Sequence, residues 1–149
     1  MLEMQSFIHR WNTHREVLHK LVDLNQEGLA EFKPWDGSMS YGELALHIAG
    51  SMEMFANTLI RGEFTPPQTK NEWTTLEDVR NLVHRYTEST SSLLASITEE
   101  QLQQEIALFG KTVPGYGILN MALDHEIHHK GQLFTFARVA GVSELPFFM

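Results

Sequence analysis

Apolar residues recur at intervals of three, four and seven along the first part of the chain, at Phe7, Trp11, Leu18, Leu21, Val22 and Leu29. Glu3, Arg10, Lys20, Asp23 and Glu27 fall mostly off that stripe. A period near 3.6 residues puts the apolar set on one helical face, so a long amphipathic helix is predicted from about Leu2 to Ala30. Gly28 weakens its last turn, and the turn cluster Pro34-Trp35-Asp36-Gly37 ends it.

Ser40 followed by Glu43 has the form of a capping box and predicts the start of a second helix, which runs to about Arg61. Its inner face carries Leu44, His47, Ile48, Ser51, Met54, Phe55 and Thr58. Gly62 and the pair Pro66-Pro67 then break the chain, and Gly62–Thr74 is a loop long enough to cover a site. Thr75 and Asp78 cap a third helix to about Ile97, marked by Leu76, Val79, Val83, Tyr86, Leu93 and Leu94. Thr98-Glu99-Glu100-Gln101 reads as a short capped helical turn. Between Gln104 and Gly115 the helical period is lost, which predicts an extended excursion or small hairpin. The fourth helix covers about Gly117–Val139, with Gly141 placed for a left-handed C-terminal cap. The tail, apolar at Leu145, Phe147 and Phe148, is expected to pack back on the body.

Four long helices joined by moderate connections predict an all-α fold, an antiparallel four-helix bundle formed as one domain over residues 1–149. The chain has no cysteine, so disulfides and thiolate ligands are excluded and any metal site is built from His, Asp and Glu. A formal charge of −8 repels phosphate backbones, which argues against a nucleic-acid partner. No window reaches the roughly 18 consecutive apolar residues of a membrane span, and Met1–Ile8 lacks the basic-then-apolar pattern of a secretory signal. A soluble, cytoplasmic protein is the expectation.

The eight histidines separate by direction. With about 100° per residue and His125 at zero, Ile118, Ala122, His129, Gln132, Phe136 and Ala140 fall within roughly 60° of it. His125 and His129, four apart, therefore stack on the core-facing side, with His128 at its edge. The same projection turns His47 inward between Leu44, Ser51 and Met54, and His14 inward between Trp11 and Leu18. His9, His19 and His84 fall in polar rows and are expected to be exposed. Three inward histidines offer neutral imidazoles to a divalent metal and leave positions open for water or substrate. His14, inward but alone, reads first as a hydrogen-bonded core residue.

His125, Glu126 and His129 also spell H-E-x-x-H, the metalloprotease signature. The extended form of that motif needs a glycine and a third histidine further along, where this chain has Gln132 and Thr135. Only twenty residues follow His129, and no strand-rich half is predicted to hold a peptide, so proteolysis is disfavoured. Glu126 lies about 100° from His125, within reach of a ligand on the metal rather than of the metal.

The last helix carries His125, His129, Lys130, Gly131 and Gln132 as H-x-x-x-H-[RK]-G-Q, and the second carries Gly42-Glu43-Leu44-Ala45-Leu46-His47-Ile48. On these motifs and on helix order, nearly the whole chain resembles the DinB-like superfamily of metal-binding four-helix bundles, which includes the YfiT-type and bacillithiol-transferase-like proteins. The resemblance implies a divalent metal, most often zinc or nickel, held by His47, His125 and His129 in a pocket at one end of the bundle. It further implies a thiol-dependent S-transferase using bacillithiol, mycothiol or glutathione as a low-molecular-weight co-substrate. A hydrolase with the same ligands, or a non-catalytic stress-related bundle, is the alternative. Glu126 and His14 are the candidates for moving a proton. Lys130 stands where arginine is more usual, keeping the charge but losing the planar fork.

Leu123, Ile127 and Phe134 project nearly opposite His125. Two explanations compete for this second apolar face: cover by the excursion or the tail, or a homodimer interface.

Overall fold

The structure, a computed structural model, describes residues 3–149. Five helices and one hairpin follow in order: α1 (Met4–Val22), α2 (Tyr41–Arg61), α3 (Leu76–Ser96), α4 (Glu99–Gln103), β1 (Glu105–Leu108), β2 (Lys111–Pro114) and α5 (Gly115–Val139). The four long helices form the expected all-α bundle. α2 packs on α5 and α3, and α1 closes the ring against α3 and α5, so α1 and α2 lie on a diagonal and touch little.

That diagonal corrects the expected end of the first helix. α1 stops at Val22, eight residues short of Ala30, and its predicted start at Leu2 lies outside the described residues. The chain must cross the bundle to reach α2, and α3 supplies the stop. Arg80 donates to the Val22 carbonyl and pairs with Asp23 at 2.8 Å, occupying groups that a further turn would use. Leu29 and Ala30 are buried all the same, because Gly42 N–H donates to the Ala30 carbonyl and Tyr41 N–H to that of Phe32. Their spacing reflects burial, and a turn of the crossing segment provides it.

The other starts are local events. Ser40 with Glu43, Thr75 with Asp78 and Thr98 with Gln101 each form a complete capping box. Each satisfies two backbone N–H groups that have no partner at a helix start. At the far end of α5, Val142 N–H bonds the Ala137 carbonyl and Gly141 N–H that of Arg138, with Gly141 at φ 99°. This pair of bonds is the Schellman arrangement, which the left-handed glycine permits.

β1 and β2 are antiparallel, pairing Glu105 with Pro114 and Leu108 with Lys111. Phe109 and Gly110 join them, both at positive φ, 50° and 77°. A two-residue turn of that hand matches the twist of the strands. The hairpin contributes Ile106 and Leu108 to a lower core with Phe7, Trp11, Phe55 and Leu123, while an upper core gathers Leu21, Tyr41, Ile48, Val83 and Phe134. Leu123 and Phe134 are thus buried within the chain, and Ile127 packs against the lower core. Within the chain, the second apolar face of α5 packs against α1 and the hairpin cluster.

The tail packs only in part: Val142 and Leu145 lie against the upper core, whereas Phe147 and Phe148 are exposed. Among the described residues, no helix is long and apolar enough to cross a membrane.

A three-histidine candidate metal centre

His47 sits in the second turn of α2, at a depth set by the Ser40 cap, and faces His125 and His129 on α5. The three rings meet edge to face, with centroids 4.4, 4.8 and 4.9 Å apart. One nitrogen from each lies within 4.8 Å of the others, and the Nε2 atoms of His47 and His125 are 3.1 Å apart. Bonds of about 2.0–2.1 Å at a tetrahedral angle would separate two ligand nitrogens by roughly 3.3 Å, so this spacing suits a shared ion with little movement.

Two further observations fit the cluster to a metal. First, His125 Nδ1 is buried without a hydrogen-bond partner. Its other nitrogen has only the Nε2 of His47 beside it, so no carbonyl or carboxylate fixes the ring, an unusual state for a buried imidazole. Second, Gln132 Oε1 lies 2.7 Å from His129 Nδ1, and Gln132 Nε2 lies 3.5 Å from His128 Nε2. With the amide oriented this way, His129 Nδ1–H donates to the oxygen, and the lone pair of Nε2 is left for the cluster. Gln132, projected into the core wedge, is in fact exposed and acts from outside it.

His125 and His47 are also poised to be neutral. Burial, then the neighbouring charges of His129, His47 and His128, lower His125 to about 4. Burial, then His129, holds His47 below its ordinary value. A neutral ring carries the lone pair that a metal takes, and no carboxylate joins the group among the described residues. A bound divalent ion would therefore keep its full charge, which favours an anionic further ligand.

The two proton-handling candidates lie elsewhere in the hydrogen-bond pattern. Glu126 is 1% exposed and accepts from Arg15 Nε at 3.1 Å, from Arg15 Nη2 at 2.6 Å and from Trp11 Nε1 at 3.2 Å. His14 is buried, with its Nδ1 2.8 Å from Lys130 Nζ. Neither is hydrogen-bonded to a cluster histidine. Lys130, 3% exposed, also donates to the Phe148 carbonyl, and burial lowers its pKa. It thus anchors the tail, a role for which a point charge suffices and the lost arginine fork is not needed.

Sequence reasoning missed Arg15, which is 1% exposed beside Glu126. Its place next to the inward His14 was the available signal, but a lone arginine at a stripe edge reads as solvated. His19, expected to be exposed, is half-buried. It stacks on His84 with centroids 4.2 Å apart, and burial first, then His84 and Arg15, lowers it to about 4. The packing of α3 on α1 covers it, and the pattern of one helix cannot show that. His9 and His84 are exposed as expected.

Beside the cluster lies a cavity of about 360 Å³, and His47 is the one histidine of the three that lines it. Trp73 and Pro67 from the 62–74 loop form one wall, and Tyr86 of α3 another. The loop is tied down where Tyr86 O–H donates to Asn71 Oδ1 at 2.7 Å and Thr65 N–H to Thr58 Oγ1 at 3.1 Å. Trp73 can lie on α2 because residue 42 is glycine: a Cβ there would stand 2.8 Å from the indole. Trp35 is 62% exposed and packs edge-on to Phe136.

The chain is similar to known proteins in sequence and fold. The chain is 40% identical over 151 residues to the uncharacterized protein YjoA of Bacillus subtilis, covering 99% of this chain and 97% of that one. It is 20% identical over 142 residues to YrdA of the same organism, covering 94% and 84%. The crystal structure of YjoA, a DinB-like protein, superposes with a TM-score of 0.85 over 97% of each chain. A DinB-like protein from Bacillus cereus shares the fold at a TM-score of 0.79 and 19% identity, covering 96% of this chain and 95% of that one. The DinB family model matches residues 1–148, and the chain belongs to the DinB family.

Proposed function

We propose that the protein is a metal-dependent enzyme acting on a small molecule, specifically a transferase that joins a low-molecular-weight thiol to an electrophile, with zinc or nickel as its ion. The observation that carries this reading is an incomplete ligand set, three histidines and no fourth protein donor among the described residues, beside a cavity. A structural zinc site closes its fourth position, whereas a catalytic one keeps it open. When bound, the ion supplies Lewis acidity that lowers the pKa of a thiol toward neutrality.

The chain's own residues do the rest. His47, His125 and His129 would hold the ion, Gln132 fixes the direction of His129, and Trp73 forms part of the cavity wall. The thiol sulfur forms a bond to the electrophilic carbon as the leaving group departs with its electron pair, and the thiol proton passes to solvent. Glu126, with both oxygens taken, positions α1 against α5 beside His125 rather than carrying that proton.

Metal content of protein purified without added metal, measured for wild type, His47→Ala and His129→Ala, is the first test. About one ion per wild-type chain and a large loss in both variants are expected. Wild type that stays metal-free after reconstitution overturns the reading. A panel of physiological thiols with a chromogenic electrophile follows: metal-dependent turnover with the thiol retained in the product supports transfer. Products lacking the thiol instead identify hydrolysis by activated water.

A further inference from the structure

The cavity beside His47 has a charge pattern of its own. Among its lining residues the one formal charge is that of Glu43; no lysine or arginine faces it. Glu43 Oε2 accepts from Ser40 N–H in the capping box, and the carboxylate is exposed at the cavity wall. Glu43 and His47 are four apart on α2, one turn along the same face, about 5–6 Å between their Cβ atoms. The remaining walls include the rings of Trp73 and Tyr86. The nearby cations Lys70 and Arg85 line a separate cavity of about 220 Å³, which shares Thr69, Asn71 and Tyr86 with the first.

We infer that the substrate admitted to this cavity is an organic amine: a molecule with an apolar body that lies against Trp73 and Tyr86 and an ammonium group directed to Glu43, one helical turn from His47. Aromatic faces attract cations through their quadrupoles, and a carboxylate beside them adds a charge of the right sign. A carboxylate-bearing molecule meets the opposite: repulsion from Glu43 and no cation to replace its lost hydration. The volume lies in the range of small-molecule sites, roughly 300–1,000 Å³. In the reading of the previous section, on which the word substrate rests, the donor atom sits at the histidine end and the ammonium at the Glu43 end of one molecule.

The test uses phenethylamine and 3-phenylpropionate, which share an apolar body and differ in charge, titrated into the metal-free full chain by calorimetry. Wild type is expected to bind the amine about tenfold more tightly than the acid, as one charge pair and one cation–ring contact allow. Glu43→Gln, which keeps the capping box, should reduce that preference to about twofold without shifting the thermal midpoint. Trp73→Phe should weaken both ligands. Equal binding of the two ligands, binding of neither, or a preference that persists in Glu43→Gln overturns the inference. No metal is needed for this measurement, so its outcome separates from that of the metal analysis. An amine-selective cavity in a protein that takes up no metal would leave the inference standing and remove the enzyme reading. A stoichiometric metal with an unselective cavity would do the reverse.

Discussion

His125 and Glu126 are neighbours on α5, yet they belong to two polar clusters built on opposite terms. Glu126 enters the interior as a charge and has every need met there: Arg15 and Trp11 donate to both its oxygens, and Arg15 Nη1 reaches Thr87 beyond at 3.1 Å. His125 is turned to His47 and His129, three rings with nitrogens within 4.8 Å of one another, and its buried Nδ1 has no partner among the described residues. A buried polar group that is satisfied within the chain ties elements together, here α1 to α5 and α3. Three imidazoles gathered with no carboxylate among them leave lone pairs that a metal could take. The difference lies in partners rather than in depth: the first cluster holds elements of the fold together, and the second is a group that could hold a metal.

The largest effect that would break this contrast comes from the ion pair. Arg15→Met leaves Glu126 charged and unpaired in the interior, and a loss of about 3–5 kcal/mol is expected in urea unfolding. Adding Glu126→Leu should recover much of it, since the stranded charge is then gone. A single variant within about 1 kcal/mol of wild type would mean that water reaches Glu126 and that the satisfied cluster is not satisfied by protein. Next in size is Gln132→Leu. Metal affinity, measured by competition with a chromophoric chelator, should fall about 10–100-fold. The stability of the metal-free protein should hardly move, because Gln132 is exposed. An unchanged affinity would show that His129 needs no outer partner.

The smallest effect concerns His19, whose Nε2 lies 3.0 Å from Thr87 Oγ1 at the margin of the ion-pair cluster. Burial holds its folded-state pKa near 4, below the ordinary 6.5. The unfolded chain therefore takes up a proton that the folded chain refuses. Stability from this source is intact above about pH 6.5 and is lost as pH falls toward 4. After allowance for its partial exposure, about 1 kcal/mol is expected, read as the difference in pH slope between wild type and His19→Gln. An identical slope would place the acid sensitivity elsewhere, with His125, which is lowered to about 4 as well, as the next group to test.

The two clusters differed as much in how they could be read beforehand. His125 and His129 stack because they are four apart on one helix, and His47 turns inward with its own apolar face; period alone places all three. Gln132 carried its signal in the motif but was projected into the core, whereas it reaches His129 from outside. Arg15 had no signal of that kind. Its partner is 111 residues away, and the apolar stripe of α1 says nothing about a carboxylate on α5. The helical projection put Glu126 within reach of a ligand on a metal; the packing of α1 turned it to Arg15. The end of α1 was misread for a related reason, since Leu29 keeps the helical spacing while sitting in a turn.

What the sequence determined by itself is whatever rests on neighbours within about four positions: the three capping boxes, the mirror-image turn at Phe109-Gly110, the Schellman end at Gly141 and the inward faces that carry His47, His125 and His129. Those depend on backbone groups seeking partners a turn away and on one repeating angle. Tertiary structure decided what depends on distant elements meeting: the diagonal crossing that ends α1, the burial of His19 under α3, the Arg15–Glu126 pair and the seat of Trp73 on Gly42 beside the cavity. A charge or a ring acquires its environment only when another helix arrives, and no local period encodes which one does.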